Sequence, residues 1–492
     1  MGLWVVSKKK FDVVRLKFLL ENAASKKIIS GALIIGENGK TRLENALDSY
    51  GEKSEISFVQ RVKILPILKV LDIVRRGFNR TPEEFKKSLK DPTLRKVFLN
   101  SFRSLQKYGL TLPQNFYMPM MVVWNFTYKC NLRCKHCYED AGMLMKGSPN
   151  ELTTEEKFKV VDDLASNDIP TIFFSGGEPI IKRDFWDVAK YAKEKGMYLS
   201  IASNGTLFTK GMAKKAKDIG FGYIAISLDA STPKKHDEFR GVPGMWKRSV
   251  EGIRNCLDAG ITTCIQYTFT RNNADELPKM LKLREKLGAY KLIVYNYVPV
   301  GRGSFEMDPT PEQREEAYKV MYDELEAGHQ VVASTAPQMG RYCKEYNADT
   351  VILSHYGSAK NKELGAIAEI IGGCGAGRAY CAIQPDGKIT PCVYMPKLVV
   401  GDLRKQSFKE IWEESPVMIS LRDRSDLQGH CATCEYKALC GGCRARAYAY
   451  FGDLKGADPG CIFNREYYYE FLRANHRKHK TLEREIVKQQ VV

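Results

Sequence analysis

The stretch Trp124-Asn-Phe-Thr-Tyr-Lys-Cys130-Asn-Leu-Arg-Cys134-Lys-His-Cys137-Tyr138 decides how this chain is read. Its cysteines are spaced C-x3-C-x2-C, so one short loop can present three thiolates. Three thiolates fill three corners of a 4Fe–4S cluster and leave the fourth iron free to bind something else. A structural zinc site wants four ligands, usually as C-x2-C pairs. A zinc loop or a chance grouping is the competing reading of this stretch alone.

Further along, apolar runs end in short polar motifs. Ile172-Phe-Phe174 leads into Ser175-Gly176-Gly177-Glu178-Pro179, and Tyr198-Leu-Ser-Ile-Ala202 into Ser203-Asn204-Gly205. Tyr223-Ile-Ala-Ile226 leads into Ser227-Leu228-Asp229, with His236-Asp-Glu-Phe-Arg240-Gly241 shortly after. Apolar runs at about 121–126, 171–175, 198–202, 223–228, 262–269 and 292–298 alternate with amphipathic stretches such as Thr154–Ala165, Arg183–Lys195 and Met245–Ala259. Strand then helix, six times over, predicts an α/β fold with a parallel sheet and crossover helices. Chemistry in such folds sits at the carboxyl ends of strands, where these motifs fall. Glycines there let backbone approach a ligand closely, and Glu178 offers an acceptor. Each motif alone fits a turn of any α/β protein; the ordered set, one per unit, is far more specific.

Together with Cys130, Cys134 and Cys137, these residues resemble the radical S-adenosylmethionine (SAM) enzymes. The resemblance implies a partial (β/α)6, TIM-like barrel over about 116–305. It implies that the three cysteines, the catalytic set, hold a SAM-binding 4Fe–4S cluster. Ser175, Gly176, Gly177 and Glu178 would meet the SAM amino group. Ser203, Asn204, Ser227, Asp229 and Arg240 complete the expected SAM site, the serine, asparagine and arginine positions reaching the ribose and methionine carboxylate. His136 is expected to pack near adenine. One electron, from a ferredoxin- or flavodoxin-like donor, would cleave SAM to methionine and a 5′-deoxyadenosyl radical, which takes hydrogen from an unactivated carbon.

The chain has 14 cysteines in 492 residues. Cys256, Cys264 and Cys343 are scattered and read as packing residues. The other eight crowd into 374–461, as C374-x6-C381-x10-C392 and C431-x2-C434-x5-C440-x2-C443-x17-C461. A disulfide framework suits neither this length nor a chain without a signal-peptide pattern; two zinc sites are a better alternative. The block resembles the SPASM domain of many radical SAM enzymes, carried by Gly387-x4-Cys392 and C-x2-C-x5-C-x2-C. That resemblance implies two fully ligated auxiliary 4Fe–4S clusters, three clusters in all. Cys374, Cys381, Cys392 and Cys443 would hold one, and Cys431, Cys434, Cys440 and Cys461 the other. Closed coordination suggests electron transfer. The run from Cys431 to Tyr448, with Asp458-Pro459-Gly-Cys461, Ser334-Thr-Ala-Pro337 and Val298-Pro-Val-Gly-Arg302-Gly303, is closest to the subgroup that modifies heme precursors. In the sulfatase-maturing branch an Asp follows a cluster cysteine and acts as base; here Val393 follows Cys392, which speaks against that chemistry.

Charge is concentrated at the ends. Residues 1–120 carry 23 Lys and Arg against 11 Asp and Glu, a net +12, and 472–492 carry 6 against 2, a net +4, out of +18 overall. Anionic surfaces are the expected targets. Residues 1–115 read as a basic, mostly helical domain. Lys8–Leu20 is basic and amphipathic, Ile28–Ile35 reads as a strand, and Asn38-Gly39 as a turn. Pro66–Gly77 reads as a helix, as do segments opened by the capping box Thr81-Pro-Glu-Glu84 and by Asp91-Pro92. A helical domain docked on the barrel and a peripheral anionic membrane contact both fit this pattern; no nucleic-acid recognition motif is present. Residues 306–370 are expected to bridge and partly lid the barrel, with the SPASM domain at 371–470 and a basic tail at 471–492. No apolar run is long enough to span a bilayer, and thiolate-bound clusters imply a reducing cytoplasm. The expected reaction is radical C–H functionalisation of a large apolar or anionic small molecule, a membrane lipid or a tetrapyrrole. Peptide or protein maturation is the alternative enzyme reading. A non-enzymatic electron carrier would leave the Ser-Gly-Gly-Glu-Pro and Ser-Asn-Gly motifs without purpose.

Overall fold

The computed structural model describes residues 22–51, 56–77, 80–142, 150–329, 331–346, 350–353, 357–360 and 368–474. Seven parallel strands follow one another in the chain: β1 Met121–Asn125, β2 Thr171–Ser175, β3 Tyr198–Ser203, β4 Tyr223–Ser227, β5 Thr263–Phe269, β6 Leu292–Asn296 and β7 Val332–Ser334. Crossover helices connect them, among them Thr154–Ser166, Phe185–Glu194, Met245–Asp258 and Pro311–Glu326. The expected strand–helix repeat is present and runs one unit further. The segment 306–370, expected as a bridge and lid, supplies the Pro311–Glu326 helix and β7, which pairs in parallel with β6. The sheet therefore does not stop near residue 305. A separate two-stranded sheet pairs β8 Thr350–Leu353 antiparallel with β9 Gly357–Lys360. At the other edge, β10 Tyr380–Ile383 lies parallel to β1, and β11 Lys388–Thr390 and β12 Gly401–Asp402 continue antiparallel. The cysteine-rich domain is thus built directly onto the first strand of the barrel.

Strand period sorts the side chains. In β2, Ile172 and Phe174 enter the main core under the helices, while Thr171, Phe173 and Ser175 line an internal cavity. In β3, Leu199 and Ile201 face the core, and Tyr198, Ser200 and Ala202 the cavity. β5 repeats the pattern with Ile265 and Tyr267 against Cys264, Gln266 and Thr268. Cys256 and Cys343 sit in the core as expected, whereas Cys264, read as a packing residue, belongs to the cavity wall.

The helices Ala23–Ala32, Arg42–Ser49, Phe58–Gly77, Pro82–Ser88 and Pro92–Tyr108 enclose a core of their own that includes Leu43, Ile64, Leu71, Phe85 and Phe102. Two expectations are corrected here. Ile28–Ile35 is not a strand: Ala23–Ala32 is helical, Asn22 accepts from the Ser25 amide at 2.9 Å, and Ile29 and Ala32 are buried on one face. Tertiary burial has overridden the β-branched pair Ile28-Ile29. Pro66 does not start its helix, which begins at Phe58; the missing amide is tolerated because Ile64, Ile67 and Leu71 are fully buried around it. The capping box at Thr81 and the start at Pro92 are as expected. Residues 8–20, and the tail from 475 on, lie outside the described residues. The domain docks on the barrel through Lys96 to the Ala165 carbonyl (3.0 Å), Arg103 to Asp168, and Asn100 to the Met118 carbonyl (2.8 Å). Among the described residues no helix is long and apolar enough to cross a membrane.

Candidate functional site

The loop after β1 brings Cys130, Cys134 and Cys137 together around Leu132 and Ala141. It is held on three sides. The Gly177 amide donates to Thr127 O at 2.7 Å and the Glu178 amide to Lys129 O at 2.8 Å. A Cβ at Gly177 would stand 2.1 Å from Lys129 O, so only glycine permits this strap. On the second side, Arg133 and Lys135 amides donate to the carbonyls of Arg240 and Phe239. On the third, Arg302 donates from Nε to Cys134 O (2.9 Å) and from Nη1 to Ala141 O and Asp140 (2.7 Å each). The sulfurs accept as well: Cys130 from the Leu132 amide (3.4 Å), Cys134 from Arg240 Nη1 (3.6 Å). Burial, and then the neighbouring Cys134 and Glu178, push the Cys130 thiol up to about 12. A bare thiolate there is costly, and a cationic cluster removes that cost by binding it. The donor set fits an iron–sulfur cluster.

The strand-end motifs converge on the same place. Ser175, Gly176, Gly177, Ser203, Asn204, Ser227, Arg240, His136 and the three cysteines all line one cavity of about 830 Å³. Two expected contact residues do not line it. Glu178 is fully buried behind the wall, accepting from Ser203 Oγ (2.9 Å) and the Asn204 amide (2.8 Å). Burial pushes its carboxyl up to about 7 against the pull of those two donors. Asp229 is likewise buried; it accepts from Arg240 Nε (2.6 Å) and the Thr268 amide (2.8 Å). Both carboxylates therefore position groups that face the cavity. Burial opposes the charge on Arg240, but Asp229 and the Cys134 sulfur outweigh it and raise its pKa. His136 stacks on Phe239, rings 4.3 Å apart and 11° from parallel, and burial holds it neutral. Its Nδ1 has no hydrogen-bond partner among the described residues, leaving a polar atom for a ligand.

Sequence reasoning missed the rest of the wall. Eight tyrosines line the cavity, from Tyr138 to Tyr394, and the charged side chains among its lining are Arg240, Arg302 and Lys291, with no Asp or Glu. The Tyr138 hydroxyl lies 2.8 Å from Ser175 Oγ. The signal was available in the strand period: Tyr198, Tyr295 and Lys291 occupy the alternate positions opposite buried Leu199, Leu292 and Val294.

In the C-terminal domain, Cys431, Cys434, Cys440 and Cys461 form one group, each electrostatically coupled to at least one of the others. Cys431 accepts from Asn464 Nδ2 (3.3 Å) and Cys440 from the Gly442 amide (3.3 Å). Cys374, Cys392 and Cys443 form a second group with Tyr380. Cys381, expected as its fourth ligand, is elsewhere: it points into the main core from the opposite face of β10. A buried ionic network locks this domain to β6. Asp458 accepts from Arg446 Nη1 (3.0 Å), the Cys443 amide (2.6 Å) and the Gly460 amide (3.0 Å), and Arg446 also reaches Asn296 Oδ1 (2.5 Å).

Two family models match the chain: the radical SAM superfamily over residues 124–284 and the SPASM iron–sulfur cluster-binding domain over 374–435. The AdoMet-dependent heme synthase of Methanosarcina barkeri is 35% identical over 351 residues, 70% of this chain and 97% of the relative. The chain belongs to the radical SAM superfamily. It is a radical SAM enzyme with a SPASM domain, and SAM and iron–sulfur clusters are the cofactors of those domains. The mycofactocin maturase MftC of Mycolicibacterium smegmatis is 30% identical over 353 residues, 70% of this chain and 83% of the relative. Among solved structures, SuiB of Streptococcus suis bound to S-adenosylmethionine has TM-score 0.61 at 14% identity, covering 86% of this chain and 93% of that one; at that identity the likeness concerns the fold.

Asp458→Asn removes the charge facing Arg446, and loss of one partner from a buried pair costs about 3–5 kcal/mol. We expect a clear drop in the thermal unfolding midpoint. Burial opposes the Asp458 charge, but Arg446 and the two amides hold its pKa below the ordinary value. The stabilisation is therefore present above the ordinary carboxylate pKa and lost as pH falls through the depressed one. The variant should show a smaller acid-induced fall than wild type; equal midpoints and equal acid profiles contradict the network's role.

Proposed function

We propose that this enzyme abstracts hydrogen from a carbon of a large anionic small molecule of the carboxylated tetrapyrrole class. The observation that carries this reading is the cavity wall: about 830 Å³, lined by eight tyrosines and by Arg240, Arg302 and Lys291 without a carboxylate. Aromatic faces suit a broad conjugated ring. A wall that presents Arg240, Arg302 and Lys291, with the arginines' partners Asp229 and Asp140 outside it, suits its acidic side chains. The similarity to a heme synthase supports the same reading.

In this reading Cys130, Cys134 and Cys137 hold the SAM-binding cluster. Cys431, Cys434, Cys440 and Cys461 hold an auxiliary cluster, Cys374, Cys392 and Cys443 contribute to a second, and a ferredoxin- or flavodoxin-like protein supplies electrons. When bound, the first cluster and SAM supply a 5′-deoxyadenosyl radical that removes the substrate hydrogen. The chain's own residues orient and shield. Glu178 fixes the Ser203-Asn204 turn and Asp229 fixes Arg240, which would hold the methionine carboxylate. His136, neutral and stacked on Phe239, would pack near adenine. The tyrosine wall would limit water at the reacting carbon, and Val393 offers no base there.

A second reading, with a membrane lipid as substrate, is favoured by the Phe58–Gly77 helix. Phe58, Val62, Leu65 and Ile73 are exposed along it, the first at 80%. With basic neighbours such as Arg61 and Lys69, that stripe suits an anionic lipid surface.

Arg240→Ala and Glu178→Ala should each weaken SAM binding at least about ten-fold, roughly 1.4 kcal/mol or more for a lost charge-assisted contact, without loss of iron. Unchanged SAM affinity in both variants contradicts the assigned roles. The substrate class is tested by 5′-deoxyadenosine release from reconstituted enzyme given an iron-bound carboxylated porphyrin, a cysteine-containing peptide, or anionic vesicles. Stimulation by the porphyrin is expected. Stimulation by peptide or vesicles alone contradicts the tetrapyrrole reading.

A further inference from the structure

We propose that the auxiliary site next to the cavity is held by only three thiolates, Cys374, Cys392 and Cys443, and so leaves one iron of its cluster open to an exchangeable ligand. The inference rests on the iron–sulfur reading above and goes beyond it, because eight cysteines in this domain invite two fully ligated sites.

The fourth cysteine is excluded by strand geometry. β10 is fixed on both flanks: Val122 opposite Cys381 and Val123 opposite Ala382 on β1, Ala382 opposite Thr390 and Ile383 opposite Ile389 on β11. In that register Tyr380 and Ala382 face the Cys392–Cys443 cluster, while Cys381 is fully buried in the main core. Bringing its sulfur to the other three requires a one-residue slip, which would turn every side chain of the strand to the wrong face. It would also drive Tyr380 into a closely packed core. The position facing the three thiols is taken instead by Tyr380, whose hydroxyl is 2.7 Å from Cys392 Sγ.

The open corner has somewhere to look. Tyr380 lines the substrate cavity, as do Val393 and Tyr394, the two residues that follow Cys392. The three-thiolate site therefore borders the cavity through Tyr380, Val393 and Tyr394, whereas no residue of 431–461, the segment of the four-cysteine site, lines that wall. An iron without a protein sulfur binds oxygen or nitrogen donors, such as the carboxylate of an acidic substrate. The site then acts as a substrate anchor and electron acceptor in one, and the Tyr380 hydroxyl, bonded to the Cys392 sulfur, tunes its potential.

Three full-length variants test this after anaerobic reconstitution. Cys381→Ala should retain the wild-type iron and sulfide content, and Cys374→Ala should lose iron. Cys256→Ala, another fully buried core thiol, reports what a core cavity alone does. Loss of about four irons in Cys381→Ala but not in Cys256→Ala, the content of one cluster, overturns the proposal. To read the open iron directly, cyanide is added to dithionite-reduced protein in which Cys130, Cys134 and Cys137 are all alanine. That protein has lost the SAM-binding corner, so a cyanide-dependent change in its low-temperature electron paramagnetic resonance spectrum is expected from the auxiliary site; an unchanged spectrum overturns the proposal. Zinc rather than iron at the eight cysteines of the wild-type chain would defeat the iron–sulfur reading itself, and this inference with it, which a changed Cys381→Ala iron count alone would not.

Discussion

The structure depends on the two-residue period of its parallel strands. Alternation sends Ile172, Phe174, Leu199, Ile201, Ile265 and Leu292 outward beneath the helices, and Phe173, Tyr198, Ser200, Gln266 and Tyr295 inward. One face secures the fold by apolar burial. The other is released from that duty and can carry chemistry. The same rule, applied at β10, separates Tyr380 from Cys381 and so decides which cysteines can meet. A barrel extended by β7 on one edge and by the cysteine-rich hairpin on the other is a consequence of continuing one sheet.

The second constraint is negative charge in a buried place. Three thiols meet at the mouth of the barrel, Glu178 and Asp229 stand behind cavity-lining turns, and Asp458 is buried in the cysteine-rich domain. Each carboxylate is answered locally: Glu178 by the Ser203 hydroxyl and Asn204 amide, Asp229 by Arg240, Asp458 by Arg446. The donors to the three thiols include the Leu132 amide, to Cys130, and the Arg240 guanidinium, to Cys134, which Asp229 already shares. A metal cluster supplies the missing positive charge, and this links the geometry to the cofactors of the family. The side chains that face the cavity include Arg240, Arg302 and Lys291 but no Asp or Glu; the carboxylates that pair with the two arginines, Asp229 and Asp140, stand outside the wall.

Much of this was legible in the sequence. The C-x3-C-x2-C loop, the Ser-Gly-Gly-Glu-Pro and Ser-Asn-Gly turns and six of the seven barrel strands could be read because each is local: spacing and period carry them. The misreadings concern residues whose role is set at a distance. Ile28–Ile35 has β-branched residues but is recruited as a helix by burial of Ile29 and Ala32. Pro66 sits inside a helix because neighbours on both sides are buried. Glu178 and Asp229 carry the right motif, yet their carboxylates turn away from the cavity to hold its lining residues. Cys381 has a plausible spacing, but spacing does not say which face of a strand a side chain occupies; the register with β1 does. The tyrosine wall was hidden because its members come from different strands far apart in the chain.

The central claim is that Cys130, Cys134 and Cys137 hold the cluster at which SAM binds. Low-temperature electron paramagnetic resonance of the reduced, reconstituted protein, with and without SAM, tests it most directly when wild type is set beside the variant with all three cysteines changed to alanine. The account predicts a signal that SAM perturbs in wild type, and in the variant a loss of about four irons, one cluster's worth, with no response to SAM. A variant that keeps its iron, or whose spectrum still answers to SAM, would contradict it.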